Sequence, residues 1–414
     1  MIAHRSKTIG AIIALGALLM LTACAGDGSS TPAATGKTVG IVAEDGTVTP
    51  PPSTSAVPAE AQAALDEFVP KEMHAAYDQY WTFATLGANP YADWTPPTGK
   101  VKYCLSDTFV GNTWRQGFGA KFAEIVDELD AAGKADGPLV TTNADGNINV
   151  HQSQINQLVS QGCDVIWSFP AGPTGICPAV TNAHDNGVLF ITVDSPIDCE
   201  DALNIGFNEP VSGGSVTATA LVNLMGGSGN VLLLNGIPGY AVTKARGDAA
   251  KAVFAEAGIE IAGEVQGDYT ASTAKSAVLN FLATHPEPID AVWDMGAMST
   301  AAAQAFQQSG RDLPTFVNFA ADCSWMGFWK DNDLTSFSVA QGPRTAAQEA
   351  ANVTARLLAG EQPKANLLLY PLPQISQQLF PDWYKSDMTV DSTCFAEPEG
   401  DIAVPDSYFD PMFQ

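Results

Sequence analysis

From Lys100 onward, short runs of consecutive apolar residues alternate with longer stretches in which apolar side chains fall on one helical face. The runs predict strands and the stretches predict helices. Val101–Leu105 opens the series as a strand, and a loop and a helix to about Leu129 follow. Strands are predicted at Leu139–Thr142, Asp164–Phe169, Val188–Val193 and Leu203–Phe207, with helices at Gln152–Ser160 and Pro178–Asn186 between them. The pattern then restarts. Helix Gly213–Met225 leads to strand Asn230–Leu234, helix Ala241–Ala257, strand Ile261–Val265 and helix Thr273–Thr284. Strand Ala291–Asp294, helix Thr300–Gln308, strands Thr315–Phe319 and Phe337–Ala340, and helix Thr345–Ala359 complete the series. Continuous apolar strands between helices imply parallel sheets covered on both faces. Two such series imply an α/β protein of two doubly wound parallel-sheet lobes. Ligands in such folds bind beyond the carboxyl ends of the strands.

The pattern before Lys100 is different. His4, Arg5 and Lys7 precede an apolar run from Ile9 to Leu21, with small residues behind it. That is the layout of a secretory signal, and the run is shorter than the roughly 20 residues a membrane span needs. Leu21-Thr22-Ala23-Cys24 resembles the lipobox of bacterial lipoproteins. The resemblance implies cleavage before Cys24, a diacylglycerol on its sulfur, and a chain tethered outside the cytoplasmic membrane. Ala25 to about Ala59 is rich in Gly, Ser, Thr, Ala and Pro and is expected to be a disordered tether. Its end-to-end distance would be roughly 30 Å. A helix is expected from Glu60 to about Phe83, and an irregular lead-in from Gly87 to Gly99.

Composition narrows the function. The net charge is −26, and removing the signal deletes two cations, Arg5 and Lys7. So acidic a chain lacks the basic footprint of a nucleic-acid binder and the polybasic patch of a membrane-surface protein. With Cys24 assigned to the anchor, six cysteines remain, an even number that suggests disulfides in an exported protein. Cys177 with Cys199 and Cys323 with Cys394 are the expected pairs; Cys104 and Cys163 are either a third pair or free core thiols. There is no CxxC and the five histidines are scattered, so no metal and no cofactor is expected.

Candidate chemistry lies at the strand ends. Ser106 is followed by Asp107-Thr108-Phe109-Val110-Gly111-Asn112-Thr113-Trp114-Arg115, which mixes aromatic faces with amide, hydroxyl and guanidinium donors. A sugar ring has apolar C–H faces and a rim of hydroxyls, and this mixture matches both. Asp194, ending the fourth strand, either accepts from two adjacent hydroxyls or caps the turn at Ser195-Pro196. Gly226-Gly227-Ser228-Gly229 lies between a helix and a strand, so it reads as a tight turn and not a phosphate loop. No GxxxxGK[ST], HExxH, Ser-His-Asp set or acid–base carboxylate pair is evident, and an enzyme is the minor reading.

The order Ser106, Asn112, Trp114, then Val188 to Asp194, then Gly236-Ile237-Pro238-Gly239 and Ala245-Arg246-Gly247, then Ala340-Gln341 resembles the type I periplasmic sugar-binding proteins, the ribose-binding protein above all. The resemblance runs from about Lys100 to Tyr370. It implies two lobes joined by a three-stranded hinge that close on a small sugar. It also implies that Asn112 hydrogen-bonds ligand, Trp114 stacks on it, Asp194 takes two hydroxyls, Arg246 clamps from the second lobe and Gln341 lies by the hinge. Ser106 and Arg115 complete the first-lobe set. The sequence also departs from the family. Ser195 stands where many relatives carry Arg, and Val292-Trp293-Asp294-Met295-Gly296 lacks the usual Asn-Asp pair. Asp294 either compensates or caps the next helix. Ala320 and Ala321 delay the next acid to Asp322, the expected second-lobe partner.

The expected organisation is a signal over 1–23, an anchored extension over 24–99, a first lobe from 100–207 plus 342–371, and a second from 208–341 plus 372–414. The expected function is capture of a monosaccharide or sugar alcohol by a monomeric, lipid-anchored component of an ABC importer, which hands it to a membrane permease. A nucleoside, amino acid or signalling molecule is the alternative ligand. A transcriptional regulator of the same fold is opposed by the export signal and the missing DNA-binding headpiece.

Overall fold

A computed structural model describes residues 37–414; the signal segment, the lipobox and Cys24 lie outside the described residues. An N-terminal hairpin, β1 (Ile41–Val42) and β2 (Val48–Thr49), and a helix α1 (Ala59–Phe68) precede the two lobes. The first lobe contains β3 (Tyr103–Asp107), α2 (Thr113–Ala131), β4 (Val140–Asn143), α3 (Ile148–Ser160), β5 (Val165–Phe169), α4 (Cys177–Asp185), β6 (Leu189–Val193) and β7 (Leu203–Phe207). The second contains α5 (Val216–Leu224), β8 (Asn230–Asn235), α6 (Ala241–Ala257), β9 (Glu260–Gln266), α7 (Ala271–Thr284), β10 (Ala291–Asp294), α8 (Ser299–Gln308), β11 (Thr315–Phe319), α9 (Cys323–Asp331) and β12 (Phe337–Val339). The chain returns to the first lobe with α10 (Pro343–Leu358) and β13 (Leu367–Tyr370), then to the second with β14 (Gln374–Ile375).

Each lobe is a six-stranded sheet. The orders are β13-β7-β6-β5-β3-β4, all parallel, and β14-β12-β11-β10-β8-β9, parallel except for β14. Every residue of β3, β5, β6 and β7 is buried, which is why these strands read as continuous apolar runs. In both sheets the first strand of the lobe sits between the second and third. Helices therefore leave it for opposite faces, and a crevice opens at the carboxyl ends of β3 and β5, and of β8 and β10. Three crossovers join the lobes, at Phe207–Glu209, Val339–Pro343 and Tyr370–Gln374.

Within the lobes, α9, β13 and β14 escape the sequence pattern. Helix α9 spans only nine residues, with Trp325, Met326, Phe328 and Trp329 buried, too few turns for a helical period to stand out in the sequence. Strand β13 is a short apolar run at the edge of the first sheet. The helix expected from Gly213 begins earlier, as a π-helical stretch over Glu209–Ser215. There Gly213 and Gly214 press on Arg246 and Ala249 of α6, where a Cβ would not fit.

The extensions differ most from expectation. The helix expected through Phe83 stops at Phe68, because Val69 is extended ahead of Pro70; 3-10 turns follow at Lys71–Tyr77 and Tyr80–Thr82. The stretch expected to be disordered to about Ala59 is folded from β1 through β2. Val39 and Val48 are buried, Asn223 donates to the Val39 carbonyl, and Gln374 pairs with the Val48 backbone. Residues 76–94 hold the first lobe: Tyr77 donates to the Leu367 carbonyl at 2.7 Å and Trp94 to that of Gly187 at 2.8 Å. The C-terminal extension, assigned whole to the second lobe, divides at Ala396. Residues before it lie against α9, whereas Glu397 accepts from the Arg344 and Thr345 amides of α10, and Arg356 pairs with Asp410. The open amino end of α10 needs acceptors, and Glu397 supplies them. All six cysteines among the described residues pair, as Cys104–Cys163, Cys177–Cys199 and Cys323–Cys394.

Candidate ligand site

A cavity of about 390 Å³ lies between the carboxyl ends of the two sheets. That size suits a small molecule. The first lobe builds its side from the turn after β3. Asn112 caps α2, its side-chain oxygen accepting from the Arg115 amide at 2.9 Å, which leaves its NH2 group unspent by the helix. Trp114 is half-buried at the cavity, stacked on Phe118 with ring centroids 5.2 Å apart, and its Nε1 donates to the Gln341 carbonyl at 3.0 Å. The Arg115 guanidinium lies over the Phe169 ring, 3.3 Å from its centroid, and pairs with Asp107. Burial pushes the Asp107 carboxyl up against the pull of Arg115.

The second lobe answers with a similar device. The buried Arg246 donates from Nε and Nη2 to both oxygens of Glu209 and from Nη1 to the Met295 carbonyl at 2.8 Å. Its guanidinium sits 4.2 Å from the Phe319 ring centroid. Burial works against its charge, but Glu209 and the neighbouring tyrosine outweigh burial, and its pKa is raised. Arg115 and Arg246 thus both line one cavity, one from each lobe, each braced by a carboxylate and backed by a phenyl face. Such a fork offers several fixed N–H donors.

Tyr240 and Tyr269 add aromatic faces from the second lobe. Tyr269 hydrogen-bonds Thr243 at 2.9 Å and fills space that a Cβ on Gly236 or Gly296 would occupy. Burial raises the Tyr240 pKa, against the opposing pull of Arg115 from the other lobe.

Of the expected site residues, Asn112, Trp114, Arg115, Arg246, Asp322 and Gln341 line the cavity. Ser106 and Asp194 do not appear on its wall. Ser106 is fully buried in β3, where its carbonyl accepts from Ser168 and its hydroxyl from Thr142. Asp194 has φ 56° and its carboxylate turns away from its own turn; its oxygens accept from Gln341 Nε2 at 2.6 Å and Tyr370 Oη at 3.1 Å. Asp322 caps α9 through the Trp325 amide at 2.9 Å and also accepts from Asn318 at 3.1 Å. Asp294 resolves as a cap: its carboxylate takes the amides of Gly296 and Met298 and the Ser299 hydroxyl. Phe169, Tyr240, Tyr269 and residues 390–395 were not anticipated at the cavity; Phe169 and Tyr240 had a signal, as aromatics at the last position of a strand and just before a helix. Among the described residues no group of three or more His, Cys, Asp or Glu is placed to hold a metal ion.

Two like lobes, a hinge of three crossovers and a donor-rich aromatic cavity between them define a two-lobed solute-binding protein. The chain belongs to the periplasmic binding protein family, whose domain model matches residues 105–362. This is a family of transport components that bind and do not catalyse. The chain is 24% identical over 225 residues to the ribose import binding protein of Bacillus subtilis, covering 54% of this chain and 72% of that protein. It is 23% identical over 252 residues to the xylitol-binding protein of Mycolicibacterium smegmatis, covering 60% and 72%. The crystal structure of an ABC transporter solute-binding protein from Thermobispora bispora superposes with a TM-score of 0.67 at 27% identity, covering 75% of this chain and 94% of that one.

Proposed function

We propose that this protein captures a monosaccharide or sugar alcohol between its lobes and delivers it to the permease of an ABC importer. The observation that carries the reading is the pair of braced guanidinium groups facing one aromatic-lined cavity. Arg115 and Arg246 offer N–H donors to ring or chain hydroxyls, Asn112 and Gln341 add amides, and Trp114, Tyr240 and Tyr269 offer faces to C–H surfaces. Each arginine is already neutralised by its own carboxylate, which suits an uncharged ligand. Ligand that touches both lobes favours the closed state by its differential affinity for it. The relatives that bind ribose and xylitol support the same class.

A thermal-shift screen of sugars, polyols, nucleosides and amino acids tests this, since a ligand raises stability as RT ln(1 + [L]/Kd). Sugars or polyols are expected to shift the melting point; a shift with nucleosides or amino acids alone would overturn the carbohydrate reading. The tether at Cys24 belongs to the same proposal, as does the monomeric state. Labelling with a fatty acid in an exporting host should mark the wild type and not Cys24→Ala. Equal labelling of both would remove the anchor.

A further inference from the structure

The family domain ends at residue 362, yet six residues of the cavity wall, 390–395, come from far beyond it. They are held firmly. Cys394 is bonded to Cys323 at the start of α9, immediately after the cavity residue Asp322. The Cys323 amide donates to the Cys394 carbonyl at 2.9 Å and the Ala396 amide to that of Ala321 at 2.9 Å; Asp322 and Phe395 form an antiparallel bridge. Gly327 of α9 lies flat on the backbone of Met388 and Thr389, with no room for a Cβ. One residue past this anchor the chain reaches the other lobe, where Glu397 accepts from the Arg344 amide at 3.0 Å and the Thr345 amide at 3.2 Å. Gly342 of the second crossover packs against that same carboxylate, again with no space for a Cβ.

We propose that this disulfide-bound segment is a specificity-determining wall of the site, with Phe395 and Thr393 as its selecting side chains. Phe395 is buried at the cavity and presents an apolar face; Thr393 is exposed and brings a hydroxyl to the rim. Because the segment is tied to the second lobe by the disulfide and to the first by Glu397, it bounds the cavity in the closed state. It therefore limits the occupant to one sugar ring or a short polyol and excludes a second ring. This rests on the carbohydrate reading above and assigns its single-ring limit to a named segment of the wall.

The test uses the full mature chain, with D-ribose, xylitol and maltose as probes in calorimetric titrations. The wild type is expected to bind ribose or xylitol and to bind maltose at least a hundredfold more weakly. Phe395→Ala and Cys323→Ser/Cys394→Ser should each weaken the small ligand at least tenfold and narrow the gap to maltose. Thr393→Ala, at an exposed position that keeps the fold, should weaken it severalfold. If all three leave both affinities within twofold of wild type while Arg246→Ala abolishes binding, the wall does not select and the proposal fails. Hydrogen exchange needs no ligand and separates this failure from that of the carbohydrate reading. The amides of Cys323 and Ala396 should be protected in the wild type and lose protection without the disulfide. Unprotected amides in the wild type would overturn the wall even where sugars bind. Protected amides with no response to any sugar would overturn the carbohydrate reading and, with it, the size selection.

Discussion

Gln341 Nε2 donates to Asp194 Oδ2 at 2.6 Å, so the second crossover of the hinge is bonded to the carboxyl end of β6. Tyr370, which leads into the third crossover, donates to the other oxygen. One buried carboxylate thus holds two of the three strands on which the lobes turn.

That position makes Asp194 a pH-sensitive strut. Burial and the nearby Glu209 raise its pKa from 3.8 to about 7, against the pull of Gln341 and Tyr370. Between those values the native protein holds a proton the unfolded chain has released, so stability falls as pH rises from about 4 to about 7 and levels off above. The slope is at most on the order of 1.4 kcal/mol per pH unit. Asp194→Asn is expected to remove this contribution. Urea midpoints for both proteins at pH 5 and pH 8 check it, and an equal drop in both would sink the idea.

The Arg246–Glu209 pair has no solvent to fall back on, since Glu209 is fully buried. Removing one partner leaves the other charge uncompensated. Glu209→Gln is expected to cost about 3–5 kcal/mol in urea unfolding at pH 7. Arg246→Lys keeps a charge but loses the two-pronged contact, and should weaken sugar binding more than it lowers stability. A neutral outcome for Glu209→Gln would mean the pair is not needed to hold Arg246 at the cavity.

Tyr269 occupies a slot made by Gly236 and Gly296. A methyl group at Gly236 must displace the ring. Gly236→Ala is therefore expected to weaken ligand at least tenfold, whereas Tyr269→Phe loses the Thr243 hydrogen bond and about 1 kcal/mol of stability. Calorimetric titration with ribose or xylitol distinguishes the two; unchanged affinity in Gly236→Ala would remove Tyr269 from the site.

The Cys177–Cys199 disulfide has a sequence separation of 22 and neither cysteine lines the cavity. Loss of that constraint on the unfolded chain should lower stability by about 3 kcal/mol. Cys177→Ser/Cys199→Ser is thus expected to melt earlier but bind ribose or xylitol within about twofold of wild type. A large affinity loss would show that this bridge also shapes the site.

The sheets were legible in the sequence because a strand covered on both faces must be apolar throughout, and β7, β10, β11 and α6 match their predicted bounds. The loop after β3 was legible for a different reason. Ligands in this architecture meet strand ends, so Asn112, Trp114 and Arg115 stood out as polar and aromatic groups in the right place. Helix α9 was not legible, since nine residues are too few turns to establish a helical period. Nor was the contribution of residues 390–395, whose composition resembles any polar loop.

By itself, then, the sequence determined the alternation of strand and helix, the two-lobe architecture, the family and most of the cavity's first-lobe donors. These follow from local pattern, from the apolar demand of a covered sheet and from motif order. Only the tertiary structure decided that Asp194 braces the hinge, that Asp294 caps a helix, that Arg246 leans on Glu209, and that a segment from the far C-terminal end walls the site. Apart from the local cap at Asp294, those roles depend on which groups meet across 37 to 176 residues of chain. A carboxylate's role is set by the donors and charges around it once water is excluded, and no local pattern carries that information.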